Sequence, residues 1–455
     1  MAKQNEITTK DCCLFFEGCS PNEKQEKALR LFSEEFERSI TDDEGGLVFS
    51  FSNKKRGDNA SFAERRYTPA KGMQWFAGRW VGWAATADKK YTISVKPRFG
   101  ELSLFFLLEE IFSFKVNEIA WTEKYKDGNS LFDRLIPFIW ESKLAAANRY
   151  GVPRKTVMVF HQGHTVKGRL DVRRSIIPLH LKQEVVSVSR EKAVDCVIAN
   201  ILLQAEETIR NKYKFFKPQL VENAQNVLDN IHSTNVQRMH LTENDYRNIH
   251  YKSIYETYKP VVDFSWQIIK HQEMSMRPSE NQRGMGIFFD MAEIWEMFLR
   301  EILRREFPDW RVSSPEIKVY EGCFYERRII PDIVLTRGND VLVFDAKWKR
   351  MNAERKPVEW SDLDRSDFFQ IHTYIQYYKT IGMNVIAGGL LYPLSIDEDY
   401  NLGSMIANDL FGGTQPRTRF VVDGIVMKSN EIKDRESFEK SQKEFLERFS
   451  ELVPK

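Results

Sequence analysis

Two carboxylates and one amine in the last third of the chain have the types and spacing for phosphodiester chemistry. Asp345-Ala346-Lys347 ends the apolar run Val341-Leu342-Val343-Phe344, and Pro331-Asp332 stands upstream at the end of a second apolar run. Side chains two apart on a strand share a face, so Asp345 and Lys347 point one way and Ala346 the other. Hydrolysing a phosphodiester requires a hydroxide-like nucleophile at neutral pH and compensation for charge building on the phosphoryl and leaving oxygens. Two hard carboxylate oxygens suit Mg2+, which keeps several waters and bridges to a substrate phosphate. Such an ion acidifies a bound water and acts as a Lewis acid, while a neighbouring ammonium orients that water. Mn2+ is expected to substitute.

An acid two residues before a lysine is common in this chain. Asp88/Lys90, Glu141/Lys143, Glu316/Lys318, Glu354/Lys356 and Glu431/Lys433 share the spacing. Only Asp345/Lys347 closes a long apolar strand and has a Pro-Asp pair on another. Charges on so apolar a strand are costly unless paired or metal-bound. The structural alternative is a buried salt bridge from Lys347 to Asp345 or Asp332.

The elements that must position these groups follow from the pattern. Residues 329–335 read as a strand carrying Asp332, and residues 341–347 as its partner. Gly338-Asn339 supplies the turn between them, giving a β-hairpin. Gln370 and Tyr374, four apart in a helical stretch over 368–378, lie on one face and could brace the lysine. A helix over 290–307 carries Glu293 and Glu296, either of which could add a metal ligand. The basic residues Lys349, Arg350, Arg355 and Lys356 form a candidate DNA-binding track beside the scissile strand, the distal half being equally readable as a solvated loop.

The rest of the chain divides into three regions. Residues 1–98 read as β-rich after a helix over 22–38, with strands near 46–52, 75–83 and 91–95, a loop over 53–66, and a small barrel or sheet as the outcome. Residues 99–275 read as mainly helical, with helices over 102–114, 131–150, 193–213 and 251–271. Strands and turns fill 157–181, where Gly163, Gly168 and Pro178 fall. The basic cluster Lys167, Arg169, Arg173 and Arg174 there could meet phosphates or form a solvated face. Residues 276–455 alternate helix and strand, as a mixed α/β domain does. The fold class expected is α/β (α+β, multidomain), with a β-rich N-terminal region, a helical middle and a C-terminal α/β domain around a mixed sheet.

Composition sets limits. The 455 residues carry 67 Lys plus Arg against 65 Asp plus Glu, a net +2, so bulk charge does not mark a nucleic-acid binder and local patches would have to do so. No run of about 18 apolar residues is present, which argues against a membrane-spanning helix. The first residues are polar and charged, unlike a signal peptide, and a cytoplasmic location is expected. Cys12, Cys13 and Cys19 lack a fourth ligand at zinc-site spacing, so reduced thiols are expected. His161 and His164 stand three apart without a further ligand at a suitable offset.

Pro331-Asp332, Asp345-Ala346-Lys347 and Gln370-x-x-x-Tyr374 together resemble the PD-(D/E)xK nuclease superfamily. More narrowly, the chain resembles the McrC subunits of McrBC modification-dependent restriction systems. That likeness rests on Gly168-Arg169-Leu170-Asp171, residues 289–307, Gly388-Gly389-Leu390-Leu391-Tyr392-Pro393, and the passage 91–114 with Lys96-Pro97-Arg98. It spans most of residues 91–430, densest in the last third.

The resemblance implies a restriction-endonuclease-like domain at 276–455 and a Mg2+-dependent DNA endonuclease subunit for defence against foreign DNA. It implies a partner, a McrB-like AAA+ GTPase hexamer that recognises modified double-stranded DNA. In that family the N-terminal part of the nuclease subunit enters the ring's pore and stimulates GTP hydrolysis, so residues 1–98 are expected to bind the partner. GTP would act only through that partner, consistent with the absence of a G-x-x-x-x-G-K-[ST] loop here. Carried over by position, Asp332, Asp345 and Lys347 are catalytic, and the helix acid is one of Asp290, Glu293 and Glu296. Rival readings are a nuclease acting on unmodified DNA or on RNA, and a catalytically silent activator.

Overall fold

The computed structural model describes residues 5–17, 21–41, 48–49, 61–68, 72–86, 90–112, 131–212, 222–234, 236–276, 286–349, 351–352, 364–395, 408–409, 418–427 and 435–454. The chain forms two compact units, one from Met1–Phe132 together with Pro278–Lys455, the other from Asp133–Arg277. Three consecutive regions were expected, with boundaries at 98/99 and 275/276, whereas the first unit here is built from two separate stretches of the chain. The reason is a shared sheet. Strand Gly286–Asp290, which follows the middle unit, pairs antiparallel with Trp80–Ala85 and parallel with Val48–Phe49. The outer flank of that sheet is Tyr91–Lys96 against Asn5–Lys10, a parallel pair. Helix Glu101–Phe112 packs on helix Met291–Glu306, so the segment after residue 98 also belongs to the first unit.

The N-terminal part is a β-sheet, as its alternating strands predict. Its core is aromatic: Phe32 and Phe36 from helix Glu23–Thr41 meet Phe62, Trp80 and Phe288. Edge-on and tilted ring contacts join these side chains, with Phe36 and Phe288 centroids 5.4 Å apart. Residues 63–66 are not loop, as expected, but part of strand Ala63–Thr68, paired with Gly72–Ala77.

The second sheet of the first unit is mixed. Its order is Arg311–Ser313, Ile333–Arg337, Asp340–Ala346, Asn384–Ser395, Arg419–Val426 and Asn408–Asp409, with Met351–Asn352 beside Asn384–Ser395. The hairpin is present: Arg337 pairs with Asp340 across Gly338-Asn339, and Gly338 takes a φ of +59° that a Cβ would disfavour. Asp332 does not lie on a strand as expected. Pro331 lacks the N–H a ladder needs, so strand Arg327–Ile329 ends and Asp332 sits in a bend before Ile333–Arg337.

Helix Arg365–Thr380 makes the crossover between the parallel strands Asp340–Ala346 and Asn384–Ser395. Ile371 and Ile375 bury against Val341 and Val343, the same strand face that presents Asp345. Glycine allows the close fit. A Cβ on Gly388 would lie 2.7 Å from the Ile375 side chain, and one on Gly389 would lie 1.7 Å from the Val421 carbonyl oxygen. Among the described residues no helix is long and apolar enough to cross a membrane.

The unit Asp133–Arg277 is helical, as expected, around a three-stranded sheet. Helix Cys196–Lys212 packs on Lys259–Met276, and strand Arg154–Gly163 pairs along its whole length with Val185–Val194. Residues 172–181, expected as strand and turn, form helix Val172–Lys182 instead. Asp171 caps it by accepting from the Arg174 N–H at 3.0 Å, and Pro178 sits inside a helix that is largely exposed.

Candidate active site

Asp332, Asp345, Lys347, Gln370 and Tyr374 converge. The alternation of strand Asp340–Ala346 turns Asp345 toward helix Arg365–Thr380, and Lys347 follows on the same side, its N–H donating to the Leu391 carbonyl at 2.9 Å. From the bend, the Asp332 carboxylate accepts the Ala346 N–H at 2.9 Å and lies close enough to Asp345 for its charge to act there. The two acids are therefore neighbours despite the break at Pro331.

The Lys347 ammonium has three partners, one through a hydrogen bond and two through ion pairs. Nζ lies 2.5 Å from Asp345 Oδ2, 2.9 Å from Gln370 Oε1 and 3.3 Å from Asp367 Oδ1. Gln370 Nε2 donates to the Tyr374 hydroxyl at 2.8 Å, and Tyr374 reaches the Ile330 carbonyl at 3.4 Å. The helix thus grips the amine through Gln370 and anchors Gln370 to the chain just before Pro331.

Electrostatics separate the acids from the amine. Burial, followed by the charge of Glu296, raises Asp332 to about 6, against the lowering effect of its hydrogen bonds. Burial and then the charge of Asp332 raise Asp345 well above the usual carboxylate range. Burial works against the Lys347 charge, but Asp345, then Asp367 and Asp332, hold it above the usual lysine range. The acid pair lacks positive charge, and the lysine alone does not supply it.

The donor set fits a cation that retains water. Asp345 Oδ2 is buried, and the approach of Lys347 to it falls outside hydrogen-bond geometry, so that oxygen has capacity to spare. Among the described residues no three His, Cys, Asp or Glu side chains group as a metal cage. Two carboxylates fall short of the four protein ligands of a closed zinc site; a hard cation that keeps its own waters is the kind two carboxylate oxygens could hold.

The candidate helix acids part company. Asp290 caps helix Met291–Glu306, accepting from the Ala292 N–H at 2.9 Å and pairing with Arg79 at 3.1 Å. Glu293 is buried in the first turn. Glu296 is the acid whose charge acts on Asp332. Of the basic track, Lys349 is held by Asp364 at 3.0 Å and Asp367 at 2.8 Å; Arg350, Arg355 and Lys356 lie outside the described residues. His161 bonds to Ser189 and Glu191 while His164 meets the Gln183 carbonyl, so each is engaged separately. Arg174 stacks over Phe160 at 4.1 Å. Cys12 donates to the Trp348 carbonyl, and burial pushes its thiol up to about 12; Cys19 lies outside the described residues.

Three contributors went unrecognised in the sequence. Asp367 bridges Lys347 and Lys349, and its place three residues before Gln370, on the same helix face, was the available signal. Asp11 and Arg98 grip the segment after Lys347: Asp11 accepts from Trp348 Nε1 at 2.7 Å and from the Arg98 N–H at 2.6 Å, and Arg98 donates to the Lys349 carbonyl at 3.1 Å. No local pattern marks these.

Residues 76–393, more than half of the chain, match the family model described as "McrBC 5-methylcytosine restriction system component". The chain belongs to this McrBC family. It is a restriction-system component by that membership. The fold agrees with a chain of the refined half-complex from a tetradecameric assembly of Thermococcus gammatolerans McrB AAA+ hexamers with bound McrC. The TM-score is 0.50 at 16% identity, over 99% of this chain and 100% of that one. A chain of the cryo-EM structure of the Thermococcus gammatolerans McrBC complex aligns at TM-score 0.36 and 16% identity, over 68% of this chain and 89% of that one. Among curated proteins, none matches the sequence.

Proposed function

We propose that this McrBC-family chain is the Mg2+-dependent endonuclease subunit of its restriction system, acting on modified double-stranded DNA with a McrB-like AAA+ GTPase. The observation that carries this is the juxtaposition of a buried carboxylate, Asp345, and a half-buried one, Asp332, with an ammonium held 2.5 Å from the first. A structural salt bridge needs one acid and one amine. The second acid, which raises the cost of the first, has a purpose only if further positive charge arrives.

Asp332 and Asp345 would hold a divalent ion, with Glu296 as the helix acid whose charge reaches Asp332. When bound, such an ion supplies Lewis acidity and an acidified water. The chain's own residues do the positioning. Lys347 is kept as an ammonium, so it acts as donor and charge partner and not as general base. Release of its Asp345 contact frees one N–H for a phosphoryl oxygen or the attacking water, while Gln370 and Asp367 keep the amine in place. Water adds to phosphorus as the P–O bond to the leaving strand breaks, its proton passing to solvent and the departing oxygen taking one from solvent, while the ammonium offsets the charge that accumulates.

Any GTP-driven step belongs to the partner, whose nucleotide loop this chain lacks. The test is cleavage of methylated and unmethylated DNA with Mg2+, with and without the AAA+ partner and GTP. Mg2+-dependent cutting of methylated DNA that needs the partner supports the reading. Full cleavage in EDTA would refute it.

A further inference from the structure

Helix Met291–Glu306 carries Glu296, Arg300 and Arg304 at four-residue intervals, one ridge along its surface. The charge of Glu296 acts on Asp332, and one turn on, Arg300 Nη1 donates to the Asp332 carbonyl at 3.3 Å. Beside that contact lies a cleft of about 400 Å3, lined among others by Arg300, Arg304, Glu301, Ser313 and Ser314. Ser314 Oγ donates to the Pro331 carbonyl at 2.8 Å, so both Arg300 and Ser314 tie the cleft to the main chain that carries Asp332.

The charges in the cleft are unequal. Arg304 pairs with Glu301, whereas Arg300 has no carboxylate partner among the described residues and uses one donor on a carbonyl. A guanidinium has five N–H donors in a planar fork that matches phosphate oxygens. Arg300 is half-buried in a cleft of mixed lining, which Ile111, Phe112 and Met297 complete, and the cleft adjoins the acid proposed to face the scissile linkage.

We infer that this cleft is a second phosphate subsite, holding a backbone phosphate of the nucleic acid beside the scissile one, with Arg300 as its main donor. The inference rests on the nuclease reading for its orientation and adds the path of the strand. Phosphate contacts of this kind set register without reading sequence. Arg300 is a positioning residue through its hold on the Asp332 carbonyl as well as a phosphate ligand.

The test is binding of a short labelled duplex, and of the matching single strand, to the full chain in EDTA across a salt series. Arg300→Ala is expected to weaken duplex binding about ten-fold and to reduce the slope of log K against log salt by about 0.9, one phosphate contact. Arg304→Glu, which leaves the Asp332 carbonyl untouched, is expected to weaken binding similarly, and Arg300→Lys to keep most of it. Unchanged affinity in Arg300→Ala and Arg304→Glu, or no binding by the unaltered chain, would overturn the subsite. So would competition by inorganic phosphate beyond a chloride control matched in ionic strength, which would assign the cleft to a free anion. Asp345→Asn separates the two proposals. Duplex bound through Arg300 but cut equally by Asp345→Asn and the unaltered chain would sink the catalytic assignment and leave the cleft standing. Loss of cleavage in Asp345→Asn with no arginine effect on binding would do the reverse.

Discussion

The indole of Trp348 donates to the carboxylate of Asp11 at 2.7 Å across 337 residues of sequence. The bond joins the turn after strand Asn5–Lys10 to the residue immediately after Lys347, and Asp11 also receives the Arg98 N–H from just beyond strand Tyr91–Lys96. Trp348→Phe keeps a ring against Phe99 and Arg98 but strips a donor from a buried acid. Loss of roughly 1–3 kcal/mol is expected, read as a lower urea midpoint at unchanged m-value.

Gln370 and Tyr374 are expected to affect turnover and not folding. Gln370→Leu removes the acceptor at 2.9 Å from Lys347, and Tyr374→Phe removes only the hydroxyl that fixes Gln370. Partners one step removed from a metal-centred site cost about 10–100-fold when lost. Gln370→Leu should fall in that range and Tyr374→Phe below it, with the loss in kcat and with KM for DNA little changed.

Gly388 sets the distance between helix Arg365–Thr380 and the sheet. In Gly388→Ala the new Cβ, 2.7 Å from Ile375, should push that helix outward and loosen its grip on Lys347. Stability should drop by about 1–3 kcal/mol, the usual range for an overpacked core, with cleavage reduced. Ile375→Val in the same chain should restore part of both. Thermal melts and cleavage rates of the single and double variants check this.

Glu141, in helix Leu131–Ala147, is 4% exposed, and its Oε1 has no hydrogen-bond partner among the described residues. Burial raises its carboxyl to about 7. The folded chain then keeps a proton that the unfolded chain releases near the ordinary glutamate value, so this group's contribution to stability falls as pH rises from about 4.5 through 7 and stays lost above. Glu141→Gln should gain roughly 1–3 kcal/mol at pH 8 and little at pH 5. Equal gains at both pH values in urea titrations would rule out titration as the cause.

The side-chain cluster was more legible than the frame that holds it. Strand alternation placed Asp345 and Lys347 on one face, and helical spacing joined Gln370 to Tyr374; both are local rules. Asp332 was located in sequence but put on a strand, because the apolar run hid what Pro331 does to the ladder. Helix Val172–Lys182 was missed because Pro178 reads as a breaker, a rule that exposed helices relax. Strand Gly286–Asp290 enters a sheet whose other members precede residue 97, and Asp11 meets Trp348 across most of the chain. Such pairings depend on tertiary closure, and no window of sequence contains them.

The most direct measurement is cleavage of DNA containing 5-methylcytosine, with Mg2+, GTP and the AAA+ partner, by the unaltered chain, Asp345→Asn and Lys347→Ala. If Asp332, Asp345 and Lys347 form one hydrolytic centre, each variant should lose about a thousand-fold or more in rate while melting within a few degrees of the unaltered chain. Cleavage by Asp345→Asn at the unaltered rate would place the chemistry elsewhere.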